Sequence, residues 1–392
     1  MTSAPRDYAG VAVTVPVTVP YARTSEHGAP WFIGTAFRLL LEQSGLVKSD
    51  VDGLAVASFS LAPDTVVAMT EYLSLSPRWI EHLPTGGASG VMAIRRAARA
   101  VQCGDADIVA CIGGDTANAA SFAGLVANFS AFSNTSVYPY GGGGPNLPFA
   151  LMTRHYMERY GARREDFGRI CVAQRYNANH NENALFRDKP LSLPDYLAAR
   201  PVADPLHLYD CVMPCAGADA FLVMSEEAAL RRGLPFARVL AAGERHNAFF
   251  DDPIQYRGGW DSYRDTLYES AGLAPADIDV LQCYDDYPVV VMMQLEDLGF
   301  CAKGQAPALV RERALTFDGG DLPLNTSGGQ LSAGQAGAAG GFINVAEALR
   351  QLTGAAGSRQ VENARTALVS GYGMVNYDRC LCTAAAILEQ GT

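Results

Sequence analysis

Two segments of this chain are copies of one another, and that repetition limits the fold more than composition does. Residues 41–54 read LEQSGLVKSDVDGL and residues 268–281 read YESAGLAPADIDVL, with six of fourteen positions identical at an offset of 227. The identities are Glu42/Glu269, Gly45/Gly272, Leu46/Leu273, Asp50/Asp277, Asp52/Asp279 and Leu54/Leu281. A second glycine turn follows the first copy at 84–90 (PTGGASG), then an Ala-rich helical pattern and the buried-type strand IVACIGG at 108–114. Residues 328–373 repeat that order and end in TALVSGYG. An internal repeat of this size predicts two duplicated βαβ halves packed about a pseudo-twofold axis, an α/β fold with parallel strands. Sites in such sheets gather at the C-terminal strand ends. Four stretches are therefore expected to meet between the halves: residue 58 onward with 84–90, 284–287, 331–337 and 371–373.

Between the copies the texture changes. Residues 116–235 interrupt the βαβ rhythm with aromatic, Asn and Gly clusters, including Asn128, Phe132 and Gly141 to Gly144. Ordinary connections are much shorter, so this stretch is expected to be an inserted region that carries substrate-facing loops. The division that follows is 1–115 with 236–260 as the N-terminal half, 116–235 as the insertion and 261–392 as the C-terminal half. Residues 324–341, LNTSGGQLSAGQAGAAGG, are mostly small and lead into a helical pattern at 342–352. Small residues leave amide N–H groups uncovered, which suits an anion or a developing oxyanion.

Charge and composition remove several function classes. The net charge is −11 with no Lys/Arg-rich run, which argues against nucleic acid as a partner. The longest apolar runs, at 108–112 and 289–293, are far too short to span a bilayer. The first ten residues carry no apolar signal core, so a cytoplasmic protein is expected. Nine cysteines form no regular framework. Neither Cys211/Cys215 nor Cys380/Cys382 is completed into a zinc spacing, so no metal site is expected.

Several longer motifs together resemble the thiolase superfamily, and more narrowly the sterol-carrier-type thiolases and their lipid-transfer aldolase relatives. They are LNTSGGQLSAGQ with the following helix ending RQLTG, AAGSRQVENARTALVSGYG, SLPDYLAARPVADPLHLYDC and PCAGADAFLVMS. The resemblance covers nearly the whole chain and implies a thiolase-like fold, layered α-β-α-β-α. It also implies a nucleophilic Cys before the first central helix, a His in a GHP motif and often a second Cys near the C-terminal GxG. Here those positions hold Gly87, Gln335 and Val369. Thiolysis needs a thiolate and a base to make it, so ordinary thiolase chemistry is not expected.

The aldolase relatives place a Tyr where this chain reads Tyr284-Asp285-Asp286-Tyr287. The resemblance thus implies an aldolase that cleaves a β-hydroxyacyl-CoA to a ketone or aldehyde and a shorter acyl-CoA. No cofactor is required beyond the coenzyme A thioester that is the substrate. Tyr284 is the candidate acid/base; the two aspartates beside it raise its pKa, so it is expected to remain protonated and to donate or relay a proton. Gln335 and Tyr372 are further catalytic candidates, and backbone N–H groups at Gly87 and Gly373 are candidates for the oxyanion hole. Asp285, Asn128, Phe132 and His246 are candidate substrate contacts, with Arg154, Arg175 and Arg187 available to CoA phosphates. The family also implies a homodimer and a small OB-fold, zinc-ribbon protein as partner. The alternative reading is a non-catalytic or partner-dependent thiolase-like acyltransferase subunit.

Overall fold

A computed structural model of the chain describes residues 7–117, 121, 124, 135, 138–142 and 144–391. The copied sequence becomes copied structure. The helix Ala29–Ser44 ends at Gly45 with φ 70°, and the helix Arg264–Ala271 ends at Gly272 with φ 67°. Glycine adopts that left-handed turn without a Cβ penalty. A 3-10 turn follows each helix, Lys48–Asp50 and Pro275–Asp277. Asp50 accepts the N–H of Val47 at 2.9 Å, and Asp277 accepts that of Ala274 at 2.7 Å. Asp52 then accepts the N–H groups of Asp107 and Ile108 at 2.8 and 2.9 Å. Asp279 does the same for Arg365 and Thr366 at 2.8 and 2.9 Å. In both copies the aspartates tie the start of one strand to the start of its neighbour.

The strands are β1 (Val11–Ala22), β2 (Gly53–Ala57), β3 (Trp79–His82), β4 (Ile108–Asp115), β5 (Pro201–Ala203), β6 (Leu206–His207), β7 (Ala216–Ser225), β8 (Phe236–His246), β9 (Val280–Gln282), β10 (Thr366–Asn376) and β11 (Arg379–Gln390). Nine of them form one sheet in the order β3-β2-β4-β7-β1-β8-β11-β10-β9, while β5 and β6 pair apart from it. Outward from the junction, β1, β7, β4, β2 and β3 are answered by β8, β11, β10, β9 and a single bridge from Leu281 to Leu324. The junction itself is antiparallel, pairing Ala12, Val13 and Thr14 with Arg238, Ala237 and Phe236. The pseudo-twofold axis passes between those two strands.

Strand alternation sorts side chains into separate cores. In β2, Leu54 and Val56 pack with the helix Ala29–Ser44, whereas Ala55 and Ala57 face the helices Ser89–Cys103 and Gly340–Leu352. Those two helices lie between the half-sheets: Val91, Ile94, Phe342, Val345 and Leu349 share one core with β4 and β7 and with β10 and β11. A Cβ on Gly90 would fall 1.8 Å from the carbonyl oxygen of Gly341, so the small residues at the two helix starts are what let them cross. The outer face of the second half buries Met292, Trp260 and Tyr284 together with Phe149, Met152 and Tyr156. The result is the layered α-β-α-β-α, thiolase-like fold expected above.

Strand pairing shifts two of the expected boundaries. Residues 216–225, expected inside the 116–235 insertion, are β7, hydrogen-bonded between β4 and β1. Residues 236–246, expected with the N-terminal half, are β8, whose long partner is β11 of the second half. Local pattern marks a strand, but only tertiary pairing says which half owns it. Within 116–235, the helices Asn146–Tyr160 and Arg164–Asn179 build no core of their own and pack onto the second half. No helix among the described residues is long and apolar enough to cross a membrane.

Candidate active site

The four stretches meet. Asp115, at the end of β4, is buried and accepts the Ser58 hydroxyl at 2.7 Å, the N–H of Phe59 at 3.0 Å and that of Ser60 at 2.7 Å. Its other oxygen accepts the N–H of Ala338 at 2.7 Å, so one carboxylate joins a loop of the first half to the glycine loop of the second. Gly337 beside it has φ 51°, and a Cβ there would lie 2.3 Å from Asp115 Oδ2. On the first-half side, a Cβ on Gly373 would lie 2.0 Å from the Thr85 carbonyl oxygen and 3.0 Å from the Gly87 nitrogen. The two glycine backbones proposed to face an oxyanion are therefore neighbours.

Tyr284 occupies the nucleophile's place. A Cβ built on Gly87 would fall 1.9 Å from Tyr284 Cε2, 2.0 Å from Cζ and 2.4 Å from the phenol oxygen. The ring and a side chain at position 87 exclude each other. Tyr284 is 3% exposed, and its pKa is raised well above the ordinary value, first by loss of hydration and then by the Asp286 carboxylate. It is a protonated phenol at neutral pH.

The two aspartates after it have different tasks. Asp285 is fully buried and accepts the N–H groups of Gln330 and Leu331 at 3.0 and 3.2 Å. A Cβ on Gly329 would meet Asp285 Oδ2 at 2.1 Å, so the glycine loop is moulded onto this carboxylate. Burial pushes the Asp285 pKa up to about 6, against the lowering effect of those backbone bonds. Asp285 is thus an anchor of the loop, which corrects its expected role as a substrate contact. Asp286 is partly buried, and its carboxylate raises the pKa of the nearby Tyr284 phenol. The Gln335 side-chain amide donates to Asp286 Oδ1, and also to Gln330 Oε1 at 3.2 Å. Desolvation raises the Asp286 pKa to about 7. Asp286 was weighed above only as a neighbour of the phenol.

The other candidates fall differently. Tyr372 is 1% exposed and stacks on Tyr284 with ring centres 6.3 Å apart, but its hydroxyl donates to Gln255 Oε1 at 2.7 Å. That same oxygen accepts the N–H of Cys380 at 2.9 Å, so Tyr372 is committed to a bond that ties β10 to the loop before Trp260. His246 ends β8 with its side chain 54% exposed, 3.9 Å from Glu244, and is not brought to Tyr284. Asn128 and Phe132 lie outside the described residues. Of the arginines, Arg175 is buried and spent on Ser332 Oγ and the Lys189 carbonyl, both at 3.0 Å. Arg154 pairs with Asp204 and Arg187 lies 3.5 Å from Asp188. The Cys382 thiol points at the carbonyls of Gly373 and Thr85 at 3.2 and 3.5 Å, and burial pushes its pKa up to about 12.

A phenol seated in the space a thiolate would need, inside a duplicated layered fold, defines a thiolase-fold protein rebuilt for other chemistry. Residues 252–387 match the family described as thiolase C-terminal domain-like. The chain is similar to the steroid side-chain-cleaving aldolase of Thermomonospora curvata, at 31% identity over 85% of this chain and 88% of that protein. It is also similar to the 17-hydroxy-3-oxo-4-pregnene-20-carboxyl-CoA lyase of Mycobacterium tuberculosis, at 32% identity over 80% and 84%. Among solved structures, an Ltp2-ChsH2(DUF35) aldolase superposes with a TM-score of 0.84 at 28% identity, covering 97% of this chain and 98% of that one. The chain belongs to the thiolase superfamily, in its lipid-transfer and aldolase branch, and is an enzyme of that fold.

Proposed function

We propose that this enzyme cleaves a β-hydroxyacyl-CoA thioester by a retro-aldol reaction, releasing a ketone or aldehyde and a shorter acyl-CoA, with no covalent cysteine intermediate. The observation that carries the reading is the mutual exclusion of Tyr284 and any side chain at Gly87. Claisen chemistry needs a thiolate there; retro-aldol chemistry needs only a proton acceptor for the β-hydroxyl and a cradle for the thioester enolate. Tyr284 meets the first need as an acid/base that, being a protonated phenol, hands its own proton on as it takes that of the β-hydroxyl. The Gly87 and Gly373 N–H groups serve the second, and one such donor is worth about 3 kcal/mol in a water-excluded site. The aldolase and lyase names of the similar proteins support the same reaction class.

By analogy with the Ltp2-ChsH2(DUF35) aldolase, we infer a DUF35-type partner that completes the substrate channel. A homodimer is inferred through β3, which among the described residues hydrogen-bonds β2 on one side only and leaves a ladder edge open. The test is incubation of the purified chain, alone and with such a partner, with a β-hydroxyacyl-CoA, followed by product analysis and intact-protein mass spectrometry. Stoichiometric carbonyl product and shorter acyl-CoA, with unmodified protein, are expected. A covalent acyl adduct, or no cleavage in either preparation, would overturn the proposal.

A further inference from the structure

We propose that the chain has a second binding site, a cleft away from Tyr284 that takes a small organic monoanion, a carboxylate on an apolar body, with Arg350 as the cation that recognises it. The proposal stands apart from the retro-aldol reading and does not need it.

The cleft opens where the two half-sheets part. β8 begins at Phe236, opposite Thr14, so beyond Thr14 the strand β1 keeps only β7 as a strand neighbour among the described residues. At that point β1 bulges: its register against β7 shifts between Thr14 and Val17, and Val15 has φ 50°. A β-branched residue seldom adopts that conformation, and a bulge re-aims the side chains around it. The space left between β1, the residues before β8 and the segment after the helix Gly340–Leu352 holds about 540 Å³, within the range of small-molecule sites. It lies at the C-terminal end of that helix. The glycine loop of the candidate active site lies at the other end, and thirteen helical residues put the two about 20 Å apart.

The walls suit such a ligand in polarity and in charge. Val15, Val17, Leu234 and Ala356 supply apolar surface. Arg350 is partly buried, and among the described residues it makes one hydrogen bond, donated to Thr18 Oγ1 at 2.7 Å, and no ion pair. The buried carboxylates that feel its charge, Asp219 and Glu347, already have donors. Asp219 accepts the hydroxyls of Thr18, at 2.6 Å, and of Tyr21. Glu347 accepts the Thr326 hydroxyl at 2.8 Å and pairs with Arg359 at 2.9 Å, which neutralises the second guanidinium of the lining. The Arg350 guanidinium is left to match a single carboxylate. Glu182, the lining carboxylate, is exposed, where water and salt screen it. A helix C-terminus repels an anion, but here the last carbonyls are covered. Leu349 is taken by the N–H and hydroxyl of Thr353 at 2.9 and 2.7 Å, Arg350 by the Ala355 N–H at 2.8 Å, and Gln351 by the Gln360 amide at 2.9 Å.

The test is titration calorimetry of the full chain with naphthoate, with its uncharged counterpart naphthamide and with inorganic phosphate, repeated in saturating coenzyme A. Wild type is expected to bind naphthoate at one site, at least about 10-fold more tightly than naphthamide, the scale of one hydrogen bond to a charged group. Phosphate, which has no apolar body, is expected to bind more weakly, and coenzyme A to leave the naphthoate affinity unchanged. Arg350→Gln is expected to weaken naphthoate binding about 10-fold or more. Ala355→Trp, which fills the cleft from an exposed position, is expected to abolish it. Both variants are checked for folding by thermal melting and are expected to keep the wild-type rate of β-hydroxyacyl-CoA cleavage. No binding in wild type, equal binding of naphthamide, tighter binding of phosphate, displacement by coenzyme A, or full binding in either folded variant overturns the proposal. Absence of cleavage in every preparation bears on the retro-aldol reading alone.

Discussion

At Gly87 a single missing carbon decides which chemistry the pocket can hold. The Cβ of an alanine would sit 1.9 Å from the Tyr284 ring, closer than any real contact, so the ring must leave its position or the turn must shift. We expect Gly87→Ala to lower kcat by about 100-fold, the scale of a misplacement of about 1 Å. Overpacking of this kind is also expected to destabilise the fold by about 1–3 kcal/mol. Steady-state kinetics and a denaturant titration check both; full activity in Gly87→Ala would show that the tight Gly87–Tyr284 fit is not needed. The glycine and the tyrosine were both legible in the sequence as departures from a family pattern. That each is the reason for the other was not, because they are nearly two hundred positions apart and only folding brings them into contact.

At the scale of elements, the site depends on short polar clamps that hold loops against strand ends. Asp115 is the clearest, holding donors from both halves. Replacing it by alanine leaves several buried N–H groups without an acceptor, at about 1–3 kcal/mol for such a group. We expect Asp115→Ala to lower the unfolding free energy by at least that amount and to lower activity together with it, measured by chemical denaturation and kinetics on the same preparation. A variant with unchanged stability would show that Asp115 does not hold the two loops together. The IVACIGGD segment advertised a buried strand, and its final aspartate gave no sign of bridging to residue 338. Likewise the YDDY run showed acidic residues beside a phenol, but the division of labour between Asp285 and Asp286 follows from the loop, whose backbone N–H groups take the first and whose Gln335 side chain takes the second.

For the molecule as a whole, buried carboxylates set the pH response. Asp115, Asp210, Asp219, Asp285, Asp286 and Asp297 all have raised pKa values with burial as the leading cause, to about 6 for Asp285 and about 7 for Asp286 and Asp297. A carboxyl whose folded pKa exceeds its unfolded value of about 4 binds more protons when folded, so stability falls as pH rises between the two values. Glu244 and Glu347 run the other way, held low against burial by Arg95 and Arg96 and by Arg359, and their contribution is lost only as pH drops through the carboxylate range. With six groups against two, Tm is expected to be higher near pH 5 than near pH 7.5, and Asp286→Asn to reduce that difference. A melting series across this range checks it; a Tm that climbs steadily from pH 5 to 7.5 would contradict it.

The repeat in the sequence determined the duplicated halves, the strand-to-strand aspartate ties and the meeting of four loops, because turns and βαβ units are encoded by residues close together in the chain. Which half owns residues 216–246, which aspartate takes the loop's backbone and which its glutamine, and why position 87 admits no side chain were decided by tertiary structure alone. Those outcomes depend on packing distances between residues remote in sequence, and a one-dimensional pattern carries no record of which distant atoms compete for the same space.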